Sequence, residues 1–258
     1  QDRGNWTTLP TSTGAPAATV RAFAATRDGA VWMGTNGGGL ARYREGTFTR
    51  VSRAEGLPSD LVRSLYADAE GWLWVGTEGR GLVRIDPRAW NGGRTPTKES
   101  IVRIGARDGL FDEVIHQILE DDAGRLWMNT NRGIFWVLRD ELNAFADGRA
   151  TRIHSTAYND RDGMRNREGN GGVQPAGAKG RDGRLWFPTQ DGVVVVDPAR
   201  VRRVHLATPL VVERVVAGGS ARAIERDSVV LHPNERDVQL EYTALTFLEP
   251  GNVRFRYR

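Results

Sequence analysis

Asp182-Gly183-Arg184-Leu185-Trp186-Phe187-Pro188-Thr189 decides the fold, because the chain repeats nearly the same stretch three more times. Each copy places Gly, one variable residue, an aliphatic residue, Trp, two further residues and then Thr. Successive motif tryptophans are separated by 42, 53 and 59 residues. A repeat of this length with one strand-like Trp predicts stacked β-blades, since a single blade cannot bury its own apolar face. The other copies are Asp28–Thr35, Glu70–Thr77 and Ala123–Thr130.

Alternating apolar and polar residues around each motif predict antiparallel strands joined by Gly-rich turns. The first unit is expected to be a four-stranded meander, and the later units restart the same pattern. We also expect one or two helical turns in Arg139–Phe145, a weak first strand of the fourth unit at Gln174–Ala178, and an outer strand of a preceding blade at Trp6–Leu9. The other expected strands are 20–24, 31–35, 40–43 and 47–51; 62–66, 73–77, 82–86 and 101–104; 116–120, 126–130, 133–137 and 151–154; and 185–187 and 193–197.

The repeat ends near His205, and no further Gly-x-aliphatic-Trp motif follows it. Residues 210–217, 228–231 and 238–242 alternate as strands of a different domain. The chain is therefore predicted to be all-β, with an incomplete set of about four β-propeller blades in residues 1–205 and the beginning of a second β-domain in residues 206–258. Both ends are expected to be cut, because the chain opens on Gln1 and the strand-like Val253–Arg258 stops midway.

The composition is that of an ordinary soluble globular chain. Of 258 residues, 39% are hydrophobic and 26% charged, and the net charge of +4 is spread along the chain. No basic block lies beside aromatic residues, so nucleic-acid binding is disfavoured. The sequence has no cysteine, no metal-ligand spacing among its four histidines, and no nucleophile or phosphate-loop motif, so we expect no metal and no cofactor. It also has no membrane-length apolar run and no visible signal peptide.

Residues 56–86 resemble the two-component regulator propeller repeat. The resemblance rests on the connector Gly56-Leu57-Pro58, the motif Leu73-Trp74-Val75-Gly76-Thr77 and the pair Gly81-Leu82. The third and fourth units depart from the pattern, with Asn129 and Pro188 in place of Gly. The resemblance implies tandem propeller blades over the first domain.

The stretch after Pro209 looks like the start of a triple-tyrosine (Y-Y-Y) domain, an immunoglobulin-like β-sandwich that follows such propellers. The similarity is carried by Leu231-His232-Pro233, Glu241–Leu245 and Arg254–Arg258. Together the two resemblances imply the non-enzymatic, periplasmic sensor region of a bacterial inner-membrane receptor. Such a receptor is expected to be a homodimer that relays binding of a small-molecule or saccharide ligand to a histidine kinase or a diguanylate cyclase. The fourth unit is most similar to the version seen before diguanylate cyclases. Membrane contact would come only through segments absent from this chain.

The connectors and turns on one face of the blades are the predicted ligand-binding surface, because their side chains vary without disturbing the core. Their polar residues include arginines that suit carboxylate or sulfate groups. The alternative is that they are ordinary solvated loops. The predicted ligand-binding residues are Arg80, Asp112, Glu113, Arg132, Arg167, Glu168, Asn170 and Asp191.

The turn carboxylates are expected to be structural. Asp122-Ala123-Gly124 resembles an Asp-box turn, and similar work is expected of Asp28, Asp68, Asp121 and Asp182. The alternative function is an enzyme on a propeller scaffold, a lyase or glycan hydrolase, since a fold does not fix a function. For that reading, His116 with Tyr66 is the one pair on the inner strands that deserves a test.

Three structural expectations follow. Residues 20–205 should form four blades in an open arc, not a closed ring. Trp32, Trp74, Trp127 and Trp186 should all be buried between blades. Residues 207–258 should form only part of a sandwich, with Val238, Leu240 and Tyr242 on one apolar face that lacks its cover.

Overall fold

The structure is a computed structural model that describes residues 8–90, 100–172, 174–201, 210–224, 228–235 and 237–244. It divides into two compact units, Gln1–Val201 and Arg202–Arg258. The expected outer strand at Trp6–Leu9 lies partly outside the described residues, as do the strand-like residues at the end of the chain. The described part is mostly β-structure, as predicted from the alternation of the sequence.

The first two blades are four-stranded antiparallel meanders, as predicted. Blade 1 has the strand order β1-β2-β3-β4 and blade 2 the order β5-β6-β7-β8. A short 3-10 helix, Pro87–Trp90, follows the third strand of blade 2. The strands are β1 (Val20–Ala25), β2 (Val31–Thr35), β3 (Leu40–Arg44), β4 (Thr47–Val51), β5 (Val62–Ala67), β6 (Leu73–Thr77), β7 (Leu82–Ile85) and β8 (Ile101–Ile104).

Blade 3 is also four-stranded, with β9 (Gln117–Glu120), β10 (Arg125–Thr130), β11 (Gly133–Leu138) and β12 (Thr156–Tyr158). The predicted helical turns are α1 (Arg139–Ala146). The predicted outer strand at 151–154 is wrong, because the outer strand is Thr156–Tyr158 and begins five residues after the predicted start. The Ile153 amide instead donates to the Asp108 carbonyl, and the His154 amide donates to Glu141.

Blade 4 has three strands among the described residues: β13 (Ala178–Lys179), β14 (Leu185–Thr189) and β15 (Gly192–Val196). The first strand predicted at Gln174–Ala178 is only partly right. Gln174 and Ala176 bond to the inner strands of blades 1, 2 and 3, so only Ala178 and Lys179 remain to pair with β14.

The Thr that ends each motif closes the turn to the third strand. The Thr77 hydroxyl donates to the Gly81 carbonyl at 2.7 Å, and the Thr35 hydroxyl donates to the Gly39 carbonyl at 2.8 Å. The third and fourth blades use the same bond over a shorter turn, from Thr130 to Gly133. Thr is therefore selected at this position because it satisfies a carbonyl inside the blade.

In blades 2 and 3, an aspartate before the motif organises the turn between the first and second strands. The Asp68 carboxylate accepts the amides of Glu70 and Trp72, and it also accepts Trp74 Nε1 at 2.7 Å. Because the same carboxylate holds the turn and the indole, it fixes the direction in which the Trp side chain points.

In blade 3 the equivalent aspartate is Asp121, which accepts hydrogen bonds from the Ala123 and Arg125 amides and from Trp127 Nε1. The prediction that Asp122 forms the Asp-box turn is therefore wrong, because Asp122 is exposed and pairs with Lys179. Asp121 precedes the Trp by six residues, as Asp68 does, and only this spacing lets the carboxylate reach both the turn and the indole.

The motif tryptophans fill the contacts between successive blades. Trp32 packs with Val62 and Leu65 of blade 2, and Trp74 packs with Ile118 and Met128 of blade 3. Trp127 of blade 3 packs in the same way against Leu185 and Phe187 of blade 4. All three are fully buried, as predicted.

Trp186 is 43% exposed, so the prediction that it is buried is wrong. Each buried Trp faces the blade that follows it, and no further blade follows blade 4 among the described residues of its unit. Val193 and Val195 are exposed as well. The described blades thus form an open series, in which no strand of blade 1 pairs with blade 4.

Glycine inside the motif lets the next blade approach. A Cβ on Gly34 would lie 3.1 Å from Val62 Cβ, and a Cβ on Gly76 would lie 2.8 Å from Ile115 Cγ2 and 3.0 Å from the Ile115 carbonyl oxygen. At the contact between blades 3 and 4, the glycine belongs to the following blade instead of the motif: Gly169 of blade 4 lies against Asn129 of blade 3. The departure from the repeat pattern at Asn129 is thus compensated by a glycine in the next blade.

The second unit contains one three-stranded sheet among its described residues, in the order β17-β16-β18. The strands are β16 (Leu210–Ala217), β17 (Ser220–Arg222) and β18 (Val238–Ala244). Val238, Leu240 and Tyr242 of β18 are exposed. Their alternation puts them on one face, so this sheet carries an uncovered apolar surface, as expected for part of a sandwich.

Candidate functional site

Four equivalent residues surround the axis of the blades at the connector face. Each follows the residue that opens its blade: Val20, Val62 and Gly169 pair with the motif Thr of their own blades, and Ile115 takes the same place in blade 3. We name these four residues the axial ring. They are Arg21, Arg63, His116 and Asn170.

Two members of the axial ring bond to the residue that directly follows the motif Thr of their own blade. Arg63 forms an ion pair with Glu78 at 2.6 Å, and His116 Nε2 lies 2.7 Å from Asn131 Oδ1. His116 is 5% exposed, and its Nδ1 has no hydrogen-bond partner in the described part of the chain. The Nε atoms of Arg21 and Arg63 are also buried without a partner. Buried donors of this kind normally find a partner, so the ring has unused bonding capacity.

Burial lowers the pKa of His116 below its usual value of 6.5. The bond to Asn131 opposes this shift, and the nearby Arg63 guanidinium adds to it. His116 is therefore neutral at neutral pH, and one of its ring nitrogens can accept a hydrogen bond.

The segment Gly171–Ala176 crosses the axis next to the ring; we name it the crossing segment, and Val173 within it lies outside the described residues. Arg63 Nη1 donates to the Gly171 carbonyl at 2.8 Å, and Arg21 Nη1 donates to the Gly172 carbonyl. The Gln174 side chain accepts the Leu65 amide at 3.2 Å. Glycine is needed at 171, because a Cβ there would meet the His116 side chain.

Arg21 differs from most of the arginines around it. It forms no ion pair with any described residue, and its guanidinium bonds to a neutral carbonyl. Arg63, in contrast, already pairs with Glu78. A guanidinium without a carboxylate partner can take a carboxylate, sulfate or phosphate oxygen from a ligand. The axial ring thus combines a guanidinium that has no carboxylate partner among the described residues with a neutral imidazole and amide groups.

The residues predicted from sequence to bind a ligand fall into separate groups. Asn170 lies in the axial ring, and Asp112 lies close enough to His116 to raise its pKa. One oxygen of Asp112 accepts the Val114 amide, and the other is buried without a partner in the described chain. These two residues belong to the axial site.

The other predicted residues lie around it. Glu113 pairs with Arg103 at 2.7 Å, and Arg103 also donates to the Arg80 carbonyl. Asp191 accepts the side-chain amide of Asn166. The remaining contacts are those of Arg132, whose guanidinium lies 5.0 Å from the Phe111 ring centre, Arg167, which lies 4.0 Å from Asp160, and Glu168, whose amide donates to Asn166.

Arg21, Arg63 and His116 were not among the ligand-binding residues predicted from sequence. The signal that could have found them is positional, because each directly follows the first apolar residue of its unit. The choice of loop residues for ligand binding left these inner-strand residues out, and His116 was considered only for the enzyme alternative, as the partner of Tyr66.

The pair His116 and Tyr66 does not share a bond. The Tyr66 hydroxyl donates to Glu120 at 2.5 Å. Burial is the larger cause that raises the Tyr66 pKa, and the bond to Glu120 is the second. Glu120 is held by Arg139 at 2.5 Å. Both carboxylate oxygens of Glu120 are thereby occupied, which makes this a structural network between blades 2 and 3. Among the described residues, no group of three His, Asp or Glu is placed to hold a metal ion.

Comparison with known proteins agrees with this architecture. Residues 56–79 and 109–132 match the two-component regulator propeller family. No curated protein matches the chain. No helix in the described part of the chain has the length and apolarity needed to cross a bilayer.

Several solved structures share the fold, and among them are two extracellular domains. One is the extracellular domain of the hybrid two component system BT3049 from B. thetaiotaomicron, with 21% identity and a TM-score of 0.58, covering 87% of this chain and 29% of that one. The other is the corresponding domain of the hybrid two component system BT4673 from the same organism, with 16% identity and a TM-score of 0.58, covering 92% of this chain and 33% of that one. This chain therefore spans about a third of the length of the domains that it matches.

Proposed function

We propose that this chain, which carries two-component regulator propeller repeats, is an extracytoplasmic sensor module that binds a ligand at the axial ring. The observation that carries the proposal is Arg21, a half-buried guanidinium on the axis with no carboxylate partner among the described residues. It lies on the connector face, where its Nη1 donates to the Gly172 carbonyl.

The ligand class follows from the groups on offer. Arg21 supplies a cation, His116 a neutral imidazole, and Asn131 and Asn170 supply amide groups. Asp112 and Glu78 place negative charge nearby, so the site as a whole is not strongly cationic. Such a set suits a polar small molecule or saccharide that carries one acidic group and several hydroxyls.

The crossing segment is the part of the site that would change its arrangement when a ligand binds. Its Gly171 and Gly172 carbonyls occupy the same guanidinium groups that an acidic ligand would take. A ligand that displaces them binds one arrangement of the segment better than the other, and this difference in affinity is what a signal requires. In the full receptor, the second unit would relay the change as the start of a triple-tyrosine sandwich, toward a kinase or cyclase inside the cell.

Paired sugars that differ only in an acidic group test the proposal. We would measure the melting temperature of the chain with glucose and glucuronate, and with N-acetylglucosamine and its 6-sulfate. The acidic members are expected to raise the melting temperature in a concentration-dependent way, since a ligand that binds only the folded state stabilises it. The Arg21→Ala variant should lose this response.

Arg103→Ala is the matched control, because Arg103 lies on the same face but off the axis and pairs with Glu113. It should keep the response to the acidic sugars. Equal stabilisation by neutral and acidic members, no stabilisation by either, or a response that survives in Arg21→Ala would each contradict binding at the axial ring.

A further inference from the structure

Two Asn-Gly-Gly stretches lie in the described part of the chain, at Asn36 and Asn170; a third, at Asn91, lies outside it. Asparagine before glycine is the pair in which an asparagine side chain reacts most readily with its own backbone, because glycine has no Cβ to block the approach. Both described asparagines are exposed, and each is followed by the same two glycines. A difference in their reactivity would therefore come from the fold.

In the first stretch the backbone nitrogen that would react is held. The Gly37 amide donates to the Asp60 carbonyl at 3.0 Å. A bonded amide nitrogen keeps its place and its proton, so it is a poor nucleophile toward the side chain before it. Five glycines that follow aspartates in turns are held in the same way, each by the carbonyl three residues earlier: Gly29, Gly109, Gly148, Gly163 and Gly183.

The Gly171 amide differs, because it has no hydrogen-bond acceptor among the described residues. Turn bonds run from an amide back to an earlier carbonyl, and residues 100–170, which precede this amide, are all described. The Asn170 side chain likewise forms no hydrogen bond with a described residue, although the Asn170 amide donates to the Pro188 carbonyl at 2.9 Å. The reacting nitrogen and the reacting side chain are thus both free within the described chain.

The surroundings of Gly171 favour the reaction as well. Its carbonyl accepts Arg63 Nη1 at 2.8 Å, and the next carbonyl, of Gly172, accepts Arg21 Nη1. These guanidinium groups stabilise the negative charge that the Gly171 nitrogen carries when it loses its proton. Glycine is also required here by packing, since a Cβ would lie 2.5 Å from His116 Cβ. The fold thus keeps the reactive pair at this position.

We propose that Asn170 is a site of spontaneous deamidation, which converts one amide of the axial ring into a carboxylate. The Gly171 nitrogen bonds to Asn170 Cγ and gives up its proton. The Cγ–Nδ2 bond breaks, and the side-chain nitrogen takes up the proton and leaves as ammonia. Water then opens the resulting five-membered succinimide at either carbonyl and leaves aspartate or isoaspartate. Water is the only co-reactant.

The product changes the charge of the axial ring. One negative charge is added beside the carbonyls that Arg63 and Arg21 hold, so Arg21 gains a carboxylate in its neighbourhood. The isoaspartate form also lengthens the backbone of the crossing segment by one methylene. A modified molecule should therefore bind an acidic ligand more weakly. This consequence alone rests on the proposed function, whereas the reaction depends only on the fold.

Peptide mapping of the aged chain tests the site without any ligand. The purified chain is kept at neutral pH and warmed, and samples are digested with trypsin. Mass spectrometry follows the mass gained when an amide becomes a carboxylate, in peptide 168–179 for Asn170 and in peptide 28–42 for Asn36. We expect Asn170 to convert several-fold faster than Asn36 in the folded chain. In urea, where neither amide is held, the two rates should become similar.

Asn170→Gln is the control, because glutamine would have to close a larger ring and reacts far more slowly. It should remove the mass increase from peptide 168–179, which also contains Gln174. Equal rates at the two asparagines in the folded chain, or slower conversion of Asn170, would overturn the proposal. So would a rate difference that persists in urea, or a mass increase that survives in Asn170→Gln.

Discussion

Replacing Trp74 with alanine tests the packing of the blades most sharply. Trp74 is fully buried between blades 2 and 3, where it packs with Ile118 and Met128. Removing a buried aromatic side chain of this size costs about 4 kcal/mol through lost contacts and the cavity that remains. The change also leaves the buried Asp68 carboxylate without the Trp74 Nε1 donor at 2.7 Å, which adds about 1 kcal/mol. Trp74→Ala should therefore lower the free energy of unfolding by about 5 kcal/mol.

Trp186 provides the matched control, because it occupies the same motif position and is 43% exposed. Its apolar surface is only partly removed from water, so Trp186→Ala should cost about 1 kcal/mol. The assay is urea unfolding monitored by far-UV circular dichroism. Tryptophan fluorescence is unsuitable, because the two variants remove different tryptophans and the remaining ones contribute to the signal. Equal losses in the two variants, or a loss below about 1.5 kcal/mol for Trp74→Ala, would refute the assignment of these tryptophans to blade contacts.

Three further changes have defined outcomes. Gly76→Ala should lower the melting temperature by about 5 °C, because its Cβ would press on the carbonyl of the next blade; an unchanged melting temperature would contradict the close approach. The wild-type chain should lose stability as the pH falls below 6.5, because the unfolded chain then binds a proton at His116 that the folded chain, in which burial lowers the His116 pKa, resists. His116→Gln should flatten this part of a pH series of urea midpoints; parallel curves for the two proteins would mean that His116 is not buried in this way. Asp121→Ala should cost about 3–5 kcal/mol in urea unfolding, because Asp121 pairs with a buried arginine and holds its turn, whereas exposed Asp182→Ala should cost little; similar losses would contradict the different roles of these turns.

The repeated motif was enough to predict the blades, because the strands and turns of one blade depend on residues that are close together in the sequence. The strand period, the Gly-rich turns and the Trp position set the first two blades to within one or two residues. In blades 2 and 3 the turn carboxylate precedes the Trp by six residues, and the turn role expected of Asp68 and Asp121 is confirmed. The assignment of an Asp-box to Asp122 was wrong because it did not follow this spacing.

The exposure of Trp186 could not be read from its motif, because burial depends on whether another blade covers it. The same limit applies to the crossing segment. Its residues Gln174 and Ala176 have the sequence of a weak strand, yet their partners are the inner strands of three other blades. Contacts that depend on how blades assemble are not encoded in the local pattern of any one blade.

In the axial site, too, some residues could be predicted from the local sequence and others depend on how the blades assemble. Asp112 and Asn170 were predicted because they lie on connectors, where polar residues suggest a surface role. Arg21 and His116 lie on strands, and only the convergence of the inner strands on one axis brings them to the site. A rule that compares equivalent positions across repeats would have found all four residues of the axial ring.

Hydrogen exchange with and without a stabilising acidic sugar tests ligand binding at the axial ring most directly. The amides of the inner strands and of the crossing segment can be followed separately by mass spectrometry, with the Arg21→Ala variant as reference. We predict that the sugar changes exchange in residues 60–64, 112–117 and 169–172 of the wild-type chain and leaves the variant unchanged. Changes confined to the turns at the opposite face, with residues 60–64, 112–117 and 169–172 unaffected, would contradict a sensor site on the axis.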